Sequence, residues 1–176
     1  GHRIAQGTAE QGTLRQTKYL EKFPLPRPLE AYEDVETILP MGRFGEAEYQ
    51  LVVQRLAAVM PWGQTPLYLA LAQSLQTTTR QTMSSDTHAH DIVIISDGRN
   101  YQFNPTPDKR IEAEQVIQQA QAQQARVHVI GFGVPANQAA DSYRQFEQLA
   151  QGTGGTVTMQ IADASLLSGR LAELNA

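Results

Sequence analysis

The amino-acid sequence predicts an α/β fold with a Rossmann-like, doubly wound and mostly parallel sheet. Continuous apolar runs rich in β-branched residues occur at DIVIIS (91–96), RVHVIGFGV (126–134) and TVTMQI (156–161). Such runs are typical of strands that helices cover on both faces. Segments with helical periodicity separate the runs, and this alternation of strand and helix indicates a parallel sheet.

Composition narrows the class of protein. The chain has 176 residues, the usual size of one domain, so we treat 1–176 as a single domain. Its net charge of −4 argues against a nucleic-acid partner, and no apolar stretch is long enough to span a membrane. Cysteine is absent, which excludes disulfides and thiolate chemistry. The first residue is Gly1 rather than Met, so we expect a longer gene product, and the compartment stays open.

The amino-terminal part predicts an excursion followed by one strand. Residues 6–31 are polar and contain alternating prolines, which favour an extended segment without ladder pairing, so we interpret them as an insertion. The stretch DVETILP then alternates apolar residues, which predicts a half-exposed edge strand over 34–39, ended by Pro40.

Two helices are predicted next. The stretch GEAEYQLVVQRLAAVMP (45–61) has apolar residues at helical spacing and glutamates in its first turn, where the helix dipole favours anions. A second helix is predicted from about 65 to 82. Its expected buried stripe consists of Leu67, Ala70, Leu71, Ser74 and Leu75.

The later helices are placed by their capping residues. Asn, Asp and Thr are preferred at helix amino termini, because their side-chain oxygens accept hydrogen bonds from free backbone N–H groups. The predicted caps are Thr106 for the helix 108–125, Asn137 for 138–155 and Asp163 for 164–174. Glycines between 152 and 155 are expected to end the second of these helices.

Two residues stand where ligands bind in open α/β sheets, beyond the carboxyl ends of the strands. Asp97 follows the strand 91–96 directly; the Asp-Gly pair predicts either a turn or a functional carboxylate. Thr65 precedes Pro66 at the start of a helix. Its spacing alone favours a helix cap over a metal ligand.

Other polar residues carry less information about function. His88 and His90 precede a strand, so we expect them at the opposite edge of the sheet, in a solvated connection. His128 lies in mid-strand and is predicted to be a packed or hydrogen-bonded core histidine. The stretch GFGVPAN lacks the third glycine of a dinucleotide-binding fingerprint, and Pro135 interrupts it.

Taken together, several segments resemble the von Willebrand factor A domain, particularly its bacterial type. The segments, in order, are GHR, ETILPM, LAAVMPWGQTPLYLALAQSL, DIVIISDGRN, RVHVIGFGV and QLAQGTGGTVTMQIADASLL. The resemblance covers the chain apart from 6–31 and implies a sheet of order 3-2-1-4-5-6 with one antiparallel edge strand. It also implies that the first strand and first helix lie upstream of Gly1.

The resemblance implies a metal-ion-dependent adhesion site that binds Mg²⁺, or Mn²⁺ or Ca²⁺, and an acidic group of a partner protein. In the family, three loops build this site. Thr65 matches the threonine of the second loop, and Asp97 matches the aspartate of the third. The residues expected to shape the partner-binding face are Gly63, Gln64, Gly98 and Arg99. Hydroxyl and carboxylate oxygens are ligands that suit Mg²⁺.

This chain contains no Asp-x-Ser-x-Ser motif, which is the first loop of the family's site. We therefore expect weak or no metal binding by the chain alone. We also expect the strand 91–96 to expose an apolar edge and the chain to be poorly soluble or unstable without an upstream segment. Two alternatives remain: a scaffold domain with a vestigial metal site, and a small Rossmann-like hydrolase that uses Asp97. We expect no enzymatic activity under the leading hypothesis.

Overall fold

A computed structural model describes residues 35, 37–40, 42–58, 65–81, 90–101, 110–161 and 163–174. The elements in chain order are α1 (Glu46–Ala58), α2 (Leu67–Gln81), β1 (His90–Ser96), α3 (Ala113–Ala122), β2 (Ala125–Phe132), α4 (Ala139–Thr153), β3 (Val157–Ile161) and α5 (Ala164–Leu174). Strands and helices alternate from β1 onward, which confirms the predicted α/β class. The predicted insertion 6–31 lies outside the described residues.

The three described strands form an open parallel sheet in the order β1-β2-β3. Strand β2 is buried on both faces, as predicted, with Val127 and Ile130 almost fully enclosed. Strand β1 differs from the prediction, because Val93 is 38% exposed and Ile95 is 48% exposed. Within the described part of the chain, β1 pairs with a strand on one side only, so its outer residues lack a neighbour. The exposed side chains alternate along β1, so one face of the strand is uncovered, and the expected apolar edge stays a prediction.

The predicted edge strand over 34–39 is not a strand where the structure describes it. Residues 35 and 37–39 have no strand pairing, and the chain bends at Ile38 and Leu39. The carbonyl oxygen of Ile38 accepts a hydrogen bond from Arg55 Nη1 at 2.8 Å rather than from a neighbouring strand. The Ile38 carbonyl is therefore bonded to a helix side chain at a position where an edge strand would bond to its neighbouring strand.

The chain divides into two compact units, of which the first comprises residues 1–78 and 101–110. Helices α1 and most of α2 belong to it. The buried residues of α2 are Leu67, Tyr68, Leu71, Ala72 and Leu75. The predicted stripe was therefore wrong at two positions: Ala70 is half-buried, and Ser74 is exposed with its hydroxyl donating to the Ala70 carbonyl. Tyr68 is buried on α2 instead, and its larger side chain removes more apolar surface from water than Ala70 or Ser74 would.

The second unit comprises residues 79–100 and 111–176 and contains the sheet. Helices α3 and α4 pack against β2 and against each other, α4 also contacts β3, and α5 packs on β3. The fully buried side chains of this core include Val116, Val127, Val129, Ile130, Phe146 and Leu149. Burial of such side chains stabilises a fold by about 1.5–3 kcal/mol each, so this core is what holds the strand ends in place.

Helix α5 begins as the sequence predicts. Asp163 Oδ1 accepts hydrogen bonds from the backbone N–H groups of Ser165 at 2.9 Å and Leu166 at 3.0 Å. A hydrogen bond from Ser165 is the largest cause that lowers the pKa of Asp163 below its usual value, and the Leu166 N–H lowers it further. Asp163 is therefore the predicted cap.

Of the other two predicted caps, one lies outside the described residues and the other is wrong. Helix α3 begins at Ala113 with Glu112 and Gln115 in a reciprocal capping box, whereas Thr106 lies outside the described residues. The residue that precedes α4 is Gln138, without a side-chain cap bond, so the prediction of Asn137 was wrong. A turn over 136–138 displaces the helix start by one residue. The glycine prediction is confirmed, because Gly154 ends α4 in the left-handed region with φ of 75°.

No helix among the described residues combines the length and apolar character that crossing a membrane requires.

Candidate functional site

The carboxyl end of β1 leads into a short turn that its last residue stabilises. The buried hydroxyl of Ser96 donates to the carbonyl oxygen of Gly98 at 2.7 Å and accepts from the Gly98 N–H at 3.3 Å. A side chain that bonds the backbone two residues ahead closes a tight turn. The turn chemistry that the Asp-Gly pair suggested is therefore supplied by Ser96 rather than by Asp97.

Asp97 itself is exposed. Its carboxylate makes no hydrogen bond or ion pair with any residue that the structure describes. An Asp at a turn usually accepts hydrogen bonds from nearby backbone N–H groups, which is how it favours the turn. Among the residues that the structure describes, Asp97 does not bond the turn in this way.

Helix α4 holds the rest of this loop, residues 97–100. Arg99 Nη1 pairs with Asp141 Oδ2 at 3.2 Å, and Asp141 also pairs with Arg144 in the next turn of the helix. The backbone N–H of Asn100 donates to Gln145 Oε1 at 2.8 Å in a part-buried position. The loop is thus bonded on both sides of Asp97.

Thr65 lies in a different local structure from the one expected. Its backbone forms an isolated antiparallel bridge with Tyr101, with N–H to carbonyl distances of 3.2 Å and 2.8 Å. Helix α2 begins two residues later, at Leu67. The Thr65 hydroxyl makes no hydrogen bond with the described residues, so within that part of the chain it does not cap α2.

The remaining site residues fall into two groups. Gly98 and Arg99 adjoin Asp97 in the same loop, whereas Gly63 and Gln64 lie outside the described residues. Thr65 belongs to the first unit and Asp97 to the second, so their convergence on one cation stays a prediction. Arg99 already has a carboxylate partner in Asp141, which agrees with a structural contribution to the loop.

A second polar cluster lies at the opposite end of the sheet. Arg126 donates two hydrogen bonds to the Asp91 carboxylate, from Nε to Oδ1 at 2.7 Å and from Nη2 to Oδ2 at 2.8 Å. His128 Nε2 lies 3.3 Å from Asp91 Oδ1, and His128 Nδ1 lies 2.9 Å from Thr156 Oγ1. Arg170 of α5 donates to the same threonine oxygen at 3.3 Å. We call this cluster the amino-end network.

The amino-end network gives both ring nitrogens of His128 a polar partner. Nδ1 lies beside the Thr156 hydroxyl, which also accepts a hydrogen bond from Arg170, and Nε2 lies beside the Asp91 carboxylate. The hydrogen bond from Arg126 is the main cause that lowers the pKa of Asp91, and His128 adds to it. This arrangement confirms the prediction that His128 is a buried, hydrogen-bonded residue.

Sequence reasoning did not predict the partners of His128. One signal was available for the ion pair, since Asp91 and Arg126 stand near the starts of two apolar runs and pair directly in the sheet register. Nothing in the sequence indicated that Arg170 would return to Thr156.

A metal site of the usual many-carboxylate kind is absent from the described part of the chain. No three or more His, Cys, Asp or Glu residues there cluster as metal ligands would.

Comparison with known proteins finds a likeness in structure. No protein-family model matches the chain, and no curated protein matches it. The crystal structure of the conserved hypothetical protein BatB from Bacteroides thetaiotaomicron is similar, with a TM-score of 0.48 and 13% sequence identity. The match covers 98% of this chain and 89% of that one. At this identity and TM-score, the likeness assigns neither a family nor an activity to the chain.

Proposed function

We propose that this chain is a protein-binding module of the von Willebrand factor A type, in which a divalent cation bridges the module and an acidic group of a partner protein. Asp97 and Thr65 hold the cation, and Mg²⁺ is the preferred ion. The observation that carries the proposal is the state of Asp97: an exposed carboxylate without a described partner, in a loop whose flanking residues are bonded.

The donor set has the chemistry that such an ion requires. Mg²⁺ takes oxygen ligands and keeps several waters, so one carboxylate and one hydroxyl leave positions for a partner. Both oxygens are uncommitted among the described residues.

The chain's own residues have separate tasks in this proposal. Asp97 supplies negative charge to the ion, and Thr65 supplies a neutral oxygen. The bound ion supplies the positive charge that attracts the partner's carboxylate. Gly63, Gln64, Gly98 and Arg99 form the surrounding face, with Arg99 oriented by Asp141. The module performs no reaction under this proposal, because recognition requires only charge and position.

Paramagnetic Mn²⁺ and two-dimensional amide NMR test the metal site directly. Mn²⁺ broadens signals near its binding position even when binding is weak, which suits a chain that lacks the Asp-x-Ser-x-Ser motif. We expect selective broadening of residues 97–100, relieved by excess Mg²⁺. The variants Asp97→Asn and Thr65→Val should each reduce the broadening several-fold.

The matched control is Glu114→Gln, which removes one negative charge from an exposed side chain of α3 and should change nothing at the loop. Equal broadening in Asp97→Asn and the unmodified chain would overturn the proposal, and no selective broadening at all would favour the vestigial scaffold. A peptide with one central glutamate, compared with its glutamine analogue, then tests the carboxylate ligand in the presence of Mg²⁺.

A further inference from the structure

The contacts that hold loop 97–100 differ in strength. Ser96 closes the turn from within the strand, whereas two contacts come from α4. The Arg99–Asp141 pair is exposed on both sides, and exposed ion pairs contribute little because water and salt screen them. The bond from Asn100 N–H to Gln145 is part-buried and satisfies a backbone donor that would otherwise lose its water.

The chemistry of residue 145 suits this task. Gln145 is half-buried on α4, and its acceptor oxygen lies 2.8 Å from the Asn100 nitrogen. Helix α4 is anchored in the core by Phe146, which is fully buried, and by Leu149. A rigid helix therefore extends one neutral acceptor to the loop, adding no charge next to Asp97.

We propose that Gln145 is a positioning residue for Asp97. It holds loop 97–100 in one conformation and thereby sets the affinity of Asp97 for a divalent cation. This inference rests on the function proposed above, because it assigns a cause to the strength of the same site. Gln145 touches neither the cation nor the partner; it acts through the backbone of Asn100.

The experiment compares Gln145→Ala and Gln145→Glu with Gln151→Ala in the full chain. Gln151 lies on the same helix and is exposed, and its amide bonds only Glu147 within α4. Two quantities are measured: the hydrogen-exchange rate of the Asn100 amide, and the Mn²⁺ concentration that half-broadens the signals of residues 97–100. Circular dichroism melting confirms that each variant is folded.

Gln145→Ala should speed Asn100 exchange about fivefold to tenfold, the ratio that corresponds to one lost hydrogen bond. It should raise the half-broadening Mn²⁺ concentration by a similar factor. Gln145→Glu keeps an acceptor oxygen and should keep Asn100 exchange slow, and Gln151→Ala should alter neither quantity.

Unchanged Mn²⁺ affinity in Gln145→Ala overturns the inference, as does unchanged Asn100 exchange. Absent broadening in every variant instead rejects the proposed function, while the exchange rates still decide whether Gln145 orders the loop.

Discussion

Strand β1 has an aspartate near each end, and the two carboxylates have different surroundings. Asp91, near the start, is held by Arg126 through both oxygens and contacts His128. Asp97, directly after the end, is exposed without a described partner, although its neighbours Ser96 and Arg99 are bonded.

The difference separates a carboxylate that is bonded within the sheet from one that has no partner among the described residues. At Asp91, the Arg126 guanidinium and the buried His128 both bond the carboxylate, and because Asp91 is in β1 and the other two residues are in β2, these bonds join the two strands. At Asp97, hydrogen bonds of the neighbouring residues order the backbone, but no described residue pairs with the carboxylate. We therefore expect changes at the amino end of the sheet to affect stability and changes at the carboxyl end to affect binding.

The largest expected contrast concerns two glycines. A Cβ atom at Gly155 would overlap the backbone carbonyl of Val127, far inside van der Waals contact, whereas the nearest atom to a Cβ at Gly98 is Gln138 Oε1 at 3.8 Å. Gly155→Ala should force β3 away from β2 and lower the free energy of unfolding by about 3 kcal/mol or more. Gly98→Ala should change it by less than about 1 kcal/mol. Urea denaturation of both variants measures this, and similar losses would break the distinction between the two ends.

The two aspartates provide the next contrast. Asp91→Ala leaves Arg126 without its partner and His128 Nε2 without its acceptor, in a side chain that is only 10% exposed. We expect a loss of about 1–2 kcal/mol in the free energy of unfolding. Asp97→Ala removes no described contact and should stay within about 0.5 kcal/mol of the unmodified chain. A larger loss at Asp97 than at Asp91 would reverse our assignment of roles.

The fold was predictable where a local pattern decided the outcome. The apolar run of β2 indicated a doubly buried strand, and Asp163 indicated a helix start, because strand burial and capping both act within a few residues. Asn137 was wrong as a cap because a local turn over 136–138 shifts the helix start by one residue, whereas the strand at 34–39 was wrong because its outcome depended on tertiary context. In the second case, the guanidinium of Arg55 took the backbone acceptor of Ile38 from 17 residues away.

The place of Asp97 directly after β1 was predictable, but the contacts that hold its loop were not. Asp97 followed from its place after a buried strand, a rule about parallel sheets that needs no knowledge of the partners. The contacts of Arg99 with Asp141 and of Asn100 with Gln145 span 42 and 45 residues. No sequence pattern reports which helix passes beside which loop, so the support of the loop required the structure.

Acid titration sharpens the comparison between the aspartates. Arg126 and His128 hold the pKa of Asp91 below its usual value, so this carboxylate stabilises the fold above about pH 3.9, and the contribution is lost as the pH falls through its lowered folded-state pKa. The effect should be less than about 1 kcal/mol, since both charged side chains are partly exposed. Urea midpoints between pH 6 and 2.5 should therefore fall less for Asp91→Asn than for the unmodified chain.

The control for the titration is Asp97→Asn, which removes a carboxylate without a described partner and should follow the unmodified chain. Parallel curves for all three proteins would show that the Asp91 contacts do not contribute to stability at neutral pH.

The smallest expected effect concerns Arg99. Its guanidinium pairs with Asp141, but both side chains are 47% exposed and Arg144 remains on the same carboxylate after Arg99 is removed. Arg99→Ala should therefore lower the free energy of unfolding by less than about 0.5 kcal/mol, measured by urea denaturation at low and high salt. If the loss in the free energy of unfolding exceeds about 1 kcal/mol, or is the same at low and high salt, the loop after β1 contributes to the stability of the whole unit. The carboxyl end would then be as structural as the amino end, and the distinction between Asp91 and Asp97 would no longer indicate function.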